Sequence, residues 1–288
     1  MSENSRVLGW FMRTLTSVFL VVLALLLAAV AGPAIWMQHN VVAQAGFVEL
    51  AGPLGSNEAF QEGLSAMATS QATASLDLPP QLNNIAAAVI NSAARSIYTD
   101  PGYAQAWKDT LKRSHKLTFD AAGNKDIQGD VLVDIAPLVG LISASVGKDI
   151  GITVPTPKDV VVSLDQPKVA QLLPKLTMVA GWSGWLAFIA VDLLILGIVV
   201  ARRRAVTVVL AGLGLAVVAL LWVAGSGFVE TILAELVVGP EVAQQFGQEL
   251  SVLARQSWQG GITLTFVTAA VVAVAGVGAL IVKGRRTT

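Results

Sequence analysis

The sequence predicts a membrane α-helical protein, with four transmembrane helices and a mostly helical α+β extracytoplasmic domain. Three observations carry this prediction. Hydrophobic residues make up 54% of the 288 and charged residues only 13%, against a usual charged share of roughly 25%. The apolar excess is concentrated in four runs, 14–32, 176–201, 205–225 and 262–282, of which only the second holds a charge, Asp192. Basic residues cluster at alternate ends of these runs. This composition excludes a disordered or nucleic-acid-binding chain and argues against an ordinary soluble enzyme. Zero cysteines exclude disulfides, cysteine-based zinc sites and a thiol nucleophile.

Each run approaches or exceeds the roughly 20 residues a helix needs to cross the hydrocarbon core. Arg6 and Arg13 precede the first run, Arg202-Arg203-Arg204 join the second to the third, and Lys283, Arg285 and Arg286 follow the fourth. If the helices alternate, all of these lie on one side, which the positive-inside rule makes cytoplasmic. Both termini, 1–13 and 283–288, are then inside, as is the turn 202–204, while 33–175 and 226–261 are outside. The cytoplasmic segments hold eight basic residues and one acid; the outer ones hold eleven basic and seventeen acidic. The zero net charge therefore conceals +7 inside, −6 outside and one acid within the bilayer. Trp36, Trp182, Trp185, Trp222 and Trp258 fall near the outer ends, where amphipathic rings suit the headgroup layer. Residues 1–31 also resemble a signal peptide ending at Ala29-Val30-Ala31. The length of the apolar run and Pro33 close behind favour an uncleaved anchor.

Within 33–175, Asn57 before Glu58 opens a helix over 58–74. Pro79-Pro80 breaks the chain, and a second helix follows over 81–97. Asp100-Pro101 caps a third, running to about 119, with Tyr103, Trp107, Leu111 and His115 four apart. Turn signals at Ala122-Gly123-Asn124 and Gly129-Asp130 precede short strands at 131–135 and 160–164, with a helix over 137–147 between them. A short helix over 167–175 leads into the second span. The segment 226–261 reads as a helical hairpin broken at Gly239-Pro240. Val242, Phe246, Leu250 and Leu253 form one apolar face on its second arm, to pack on the larger domain, lie on the membrane or dock a partner.

Trp107, a basic and polar helix, Arg113-Ser114-His115, a glycine-containing turn at Gly129, and an alternating strand from Val131 ending in Ala136-Pro137-Leu138 form a pattern. With one span before it and three after, it resembles a family of actinobacterial four-helix integral membrane proteins of unknown function, over roughly residues 10–225. The turn at 123–126 departs from that pattern in being shorter and rich in Asn and Lys. The resemblance implies the topology and an actinobacterial envelope and names no reaction. Accessory subunits of large respiratory assemblies are the partner class it suggests.

Asp192 is the most informative single residue. A carboxylate at mid-bilayer costs roughly 2.5–3.5 kcal/mol on insertion scales, and no basic residue lies at that depth in any run. It is therefore hydrogen-bonded in a protonated form inside the bundle, paired with a group on another membrane protein, or part of a proton or ion path. Gly212, Gly214, Gly276 and Gly278 are expected to allow close helix packing, the first two beside Asp192. Lys112, Arg113, His115 and Lys116 form a basic cluster that is either a solvated helix face or an anion or headgroup contact. Asp126, Asp130 and Asp134 lack the calcium-loop pattern, and no Walker sequence, dinucleotide fingerprint, H-E-x-x-H or nucleophile elbow occurs.

The expectation is thus a non-catalytic protein with no catalytic, cofactor or metal site. It scaffolds an envelope or respiratory membrane complex through membrane lipid and other integral membrane proteins. The alternative is a small transporter or lipid-handling protein using Asp192 in the helix bundle.

Overall fold

The computed structural model describes residues 2–75, 80–123, 131–150, 158–164, 166–227 and 241–285. It is mostly helical, with four stretches long and apolar enough to span a membrane: Met12–Val42, Pro167–Val200, Arg204–Ser226 and Ala243–Lys283. The chain divides into a span unit (Met1–Gln38, Met178–Val229, Arg255–Thr288) and an inter-span unit (His39–Thr177, Glu230–Ala254). The turn signals at 124–130, Asp126 and Asp130 among them, and the hairpin's break at Gly239-Pro240 lie outside the described residues, as does most of its first arm.

In the span unit, α1 (Ser2–Met37) is one apolar helix running through Pro33. The second apolar run is two helices, α7 (Pro167–Gly181) and α8 (Ser183–Val200), separated at Trp182. There the regular ladder slips: the Trp182 amide is shared between the Met178 and Val179 carbonyls at 3.3 and 3.2 Å. The short helix expected at 167–175 is therefore the first half of a longer one. α9 (Arg204–Ser226) follows the arginine turn. α10 (Glu241–Arg285) is a single helix of 45 residues. The expected second hairpin arm and the fourth span are one element, because no Pro interrupts 241–285 and Gly260-Gly261 alone does not stop a helix.

Small residues bring the span helices together. α1 buries Ser17, Val21, Ala24 and Ala31, a stripe at helical spacing that packs against α8. Ser17 Oγ donates to the Gly197 carbonyl at 2.8 Å, giving a buried hydroxyl its partner across the helix pair. Three tryptophans from α1, α9 and α10 meet. Trp258 packs edge-on to Trp36 at 6.0 Å and tilted against Trp222 at 5.1 Å. Their indoles are tied to neighbouring helices, Trp222 Nε1 donating to the Ala29 carbonyl at 3.0 Å and Trp36 Nε1 to Ser257 Oγ at 3.2 Å.

In the inter-span unit a π-helical turn (Gln38–Val42), α2 (Gln44–Ala51) and a 3-10 turn (Gly52–Ser56) lead to α3 (Glu58–Ser75). Asn57 caps α3, its Oδ1 accepting the Phe60 amide at 2.9 Å. α4 (Pro80–Ser96) ends in a 3-10 turn (Ile97–Thr99). At Asp100 the capping expectation shifts: its Oδ1 accepts the Gly102 amide at 2.7 Å, so a side-chain turn precedes α5 (Tyr103–Gly123). α6 (Ala136–Ile150) lies between β1 (Leu132–Asp134) and β2 (Val161–Ser163), which pair antiparallel with Val133 opposite Val162. These two strands are three residues each, shorter than expected, and are the only strands among the described residues.

The core of this unit gathers Ala51, Leu54, Phe60, Ile97, Tyr103, Trp107, Leu111 and Leu138. Burying one face of α5 accounts for the four-residue spacing from Tyr103 to His115. Phe246, Leu250 and Leu253 of α10 pack on this same core, with Phe246 at 5.9 Å from Phe60.

Candidate functional site

Two buried clusters and one exposed carboxylate draw together most of the polar residues singled out from sequence. The first cluster centres on Asp134, at the end of β1 and 2% exposed. Its Oδ1 accepts the Ala136 and Val160 amides at 3.0 and 3.1 Å, and Arg113 Nη1 donates to Oδ2 at 3.3 Å. Arg113 also donates to the Lys158 carbonyl at 3.0 Å, and the Asp134 amide donates to Ser114 Oγ at 3.0 Å. These bonds join α5, β1, α6 and the approach to β2. This carboxylate is a structural keystone, with its lone pairs used by the fold.

The second cluster centres on His115. Its ring stacks on Phe119 at 4.3 Å and lies 5.1 Å from Phe47, and Nε2 pairs with the Val41 carbonyl at 2.9 Å. That pairing requires the proton on Nε2. Burial lowers the His115 pKa below its ordinary value, opposed in part by the Val41 contact.

The expected basic cluster therefore loses His115, and its three cations form a solvated helix face on which two are ion-paired. His115 is buried, Arg113 is committed to Asp134, and Lys112 lies 3.4 Å from Asp109. Lys112, Arg113 and Lys116 stay exposed, but the first two already face carboxylates. At about 100° per residue, Lys112, Arg113 and Lys116 share the solvent side of α5, while His115 falls on the side turned to the core. Of the readings open for the apolar face on the second arm, packing on the larger domain is the one the contacts match, and the docking reading loses Phe246, Leu250 and Leu253. These three are covered by the inter-span core, which an amphipathic helix beside an apolar core buries first. The side chain of Val242 is outside the described residues.

In the span unit the glycines divide. A Cβ on Gly212 would lie 2.6 Å from the Ala273 nitrogen and 2.8 Å from the Ala269 oxygen. One on Gly276 would lie 2.7 Å from the Val209 nitrogen, so α9 and α10 meet backbone to backbone. Gly214 faces Leu25 of α1 instead, and nothing lies within 4 Å of a Cβ on Gly278. Gly278 thus has no packing role among the described residues. Neither Gly212 nor Gly214 is placed by these contacts beside Asp192: they face α10 and α1.

Asp192 itself is exposed. α8 buries Ser183, Ala190 and Gly197, seven apart, and Gly197 meets Val21 of α1. Asp192 stands two positions from Ala190, which on a helix is a rotation of about 200°. It therefore points away from the buried stripe, and among the described residues it has no hydrogen-bond or ion-pair partner. The expectation of a hydrogen-bonded acid inside the bundle is overturned by this geometry.

Around Asp192 the exposed side chains Trp185, Phe188, Ile195 and Val199 follow one another through it at spacings of three, four, three and four. That is the spacing of a helix-packing stripe. Sequence reasoning missed this stripe, although the seven-residue spacing of Ser183, Ala190 and Gly197 marks the opposite face. No group of metal-ligating side chains occurs among the described residues. No family model, curated protein or solved structure matches the chain.

Proposed function

We propose that this chain is a non-catalytic integral membrane protein that acts by lateral association within the membrane. In line with the resemblance of its sequence, it serves as an accessory or scaffolding subunit of an actinobacterial envelope or respiratory complex. The observation that supports this reading is the outward position of Asp192. A carboxylate on the lipid-facing side of a span costs roughly 2.5–3.5 kcal/mol at mid-bilayer, and a polar group on a neighbouring protein would offset that cost. The same position weighs against a solute path through the bundle, whose polar groups would face inward. The charge asymmetry of the connecting segments supports cytoplasmic termini and an inter-span unit outside the cell.

Purification from native membranes in mild detergent, followed by mass spectrometry, tests the reading. Stoichiometric integral membrane partners are expected. A lone protein carrying a lipid or solute overturns it and favours a transporter or lipid-handling role. Orientation is tested separately, because the chain has no cysteine of its own. A cysteine at exposed Glu58 should react with an impermeant maleimide on intact cells, and one at Arg203 only after permeabilisation. The reverse pattern refutes the orientation.

A further inference from the structure

We infer that the outward stripe of α8 receives one transmembrane helix of a different membrane protein, and that this helix carries a lysine or arginine at mid-depth. The inference rests on the lateral-association reading and adds the chemistry of the partner.

Three observations carry it. The stripe has Asp192 at its centre and large apolar side chains on both sides, Trp185 and Phe188 toward one end and Ile195 and Val199 toward the other. An apolar helix could cover those four side chains but would leave the carboxylate without a partner in a medium that solvates it poorly. An ammonium or guanidinium at the matching depth converts the same contact into a charge-assisted hydrogen bond.

The chain cannot supply that cation to itself. The runs 14–32, 176–201, 205–225 and 262–282 contain no Lys, Arg or His. Arg202 lies ten residues along from Asp192, about 15 Å on a helix axis. A second copy in register would set Asp192 against Asp192, and like charges at close range repel. The complement must come from another chain. The small-residue face of α8 is already taken up by α1, and of the exposed side that remains, which also carries Val191 and Leu196, the stripe is the part centred on the carboxylate. A single polar position within an apolar stripe also sets depth and register, since sliding by one turn separates the two charges.

The test uses the full chain with a donor dye on a cysteine appended after Thr288, reconstituted in phosphatidylcholine vesicles. Acceptor-labelled synthetic helices of leucine and alanine are added, with Lys, Leu or Asp as the central residue. The Lys helix should associate roughly tenfold more tightly than the Leu helix, and the Asp helix no better than Leu. Asp192→Leu should reduce the Lys helix to the Leu level, while Asp192→Glu retains the preference. If Asp192→Leu fails a thermal-unfolding check, Asp192→Asn, a near isostere without the charge, is read in its place.

Equal binding of the Lys and Leu helices overturns the inference. So does energy transfer between labelled copies of the chain that disappears in Asp192→Leu, which would assign the stripe to self-association. The two readings fail separately. A Lys preference in vesicles with no native partner sinks the subunit role and leaves the stripe's chemistry standing. Native partners recovered equally by Asp192→Leu sink the stripe and leave the subunit role.

Discussion

Arg113 donates to Asp134 across 3.3 Å from a side chain that is half exposed to one that is buried. The pair's importance therefore comes less from the surface-exposed guanidinium than from the two backbone amides on the same carboxylate. Removing the carboxylate leaves those buried amides unpaired. Asp134→Ala should destabilise the protein by roughly 3 kcal/mol, and Arg113→Gln by about 1 kcal/mol. Thermal unfolding of the full chain in detergent, followed by tryptophan fluorescence, would rank the two. Equal effects would show that the ion pair dominates.

His115 makes the inter-span unit sensitive to acid. Desolvation lowers its folded pKa, so the unfolded chain takes up a proton first, beginning near the ordinary value of about 6.5. Stability contributed by the neutral ring is present above that pH. It is lost as pH falls toward the depressed folded value, and the loss levels off below it. His115→Phe keeps the stacking with Phe119 but has no titrating group. Its melting temperature should change less than that of the native chain between neutral pH and about pH 5. An unchanged slope would assign the sensitivity elsewhere.

The glycines of α9 and α10 provide a matched pair of substitutions. Gly212→Ala forces a methyl group against the backbone of α10 and should cost about 1–3 kcal/mol. Gly278→Ala places the same methyl where nothing lies within 4 Å and should leave stability unchanged or slightly raised by helix propensity. Detergent melting curves measure both. A neutral Gly212→Ala would contradict the backbone contact between these helices.

Phe246 separates a core helix from a docking helix. Packed on Phe60 and the surrounding core, it should cost about 3 kcal/mol when replaced by Ala, while recovery of membrane partners per folded molecule stays unchanged. A stable Phe246→Ala protein with lost partners would restore this face as a docking surface.

The contrast between the inter-span helices and the spans explains how far the residues alone could be read. α3, α4, α5 and α6 lie close to where periodicity and punctuation place them, because each has a polar side and an apolar side and Asn57, Asp100 and Pro80 mark their ends. The spans are equally legible as lengths of apolar chain, but their faces are not. When nearly every residue from 176 to 201 is apolar, hydrophobic periodicity carries no information about which side is buried. Only the small residues Ser183, Ala190 and Gly197 record it.

Sequence by itself therefore determined the four apolar runs, the charge asymmetry around them, the caps and core face of the inter-span helices, and the isolation of Asp192 from any cation at its depth. Tertiary structure alone decided where those groups point. It paired the His115 ring with Val41, spent Arg113 on Asp134, chose the inter-span core for Phe246 and turned Asp192 outward. The physical reason is that a residue's depth along a helix follows from its number. Its direction around the helix acquires meaning only when a neighbour occupies one side.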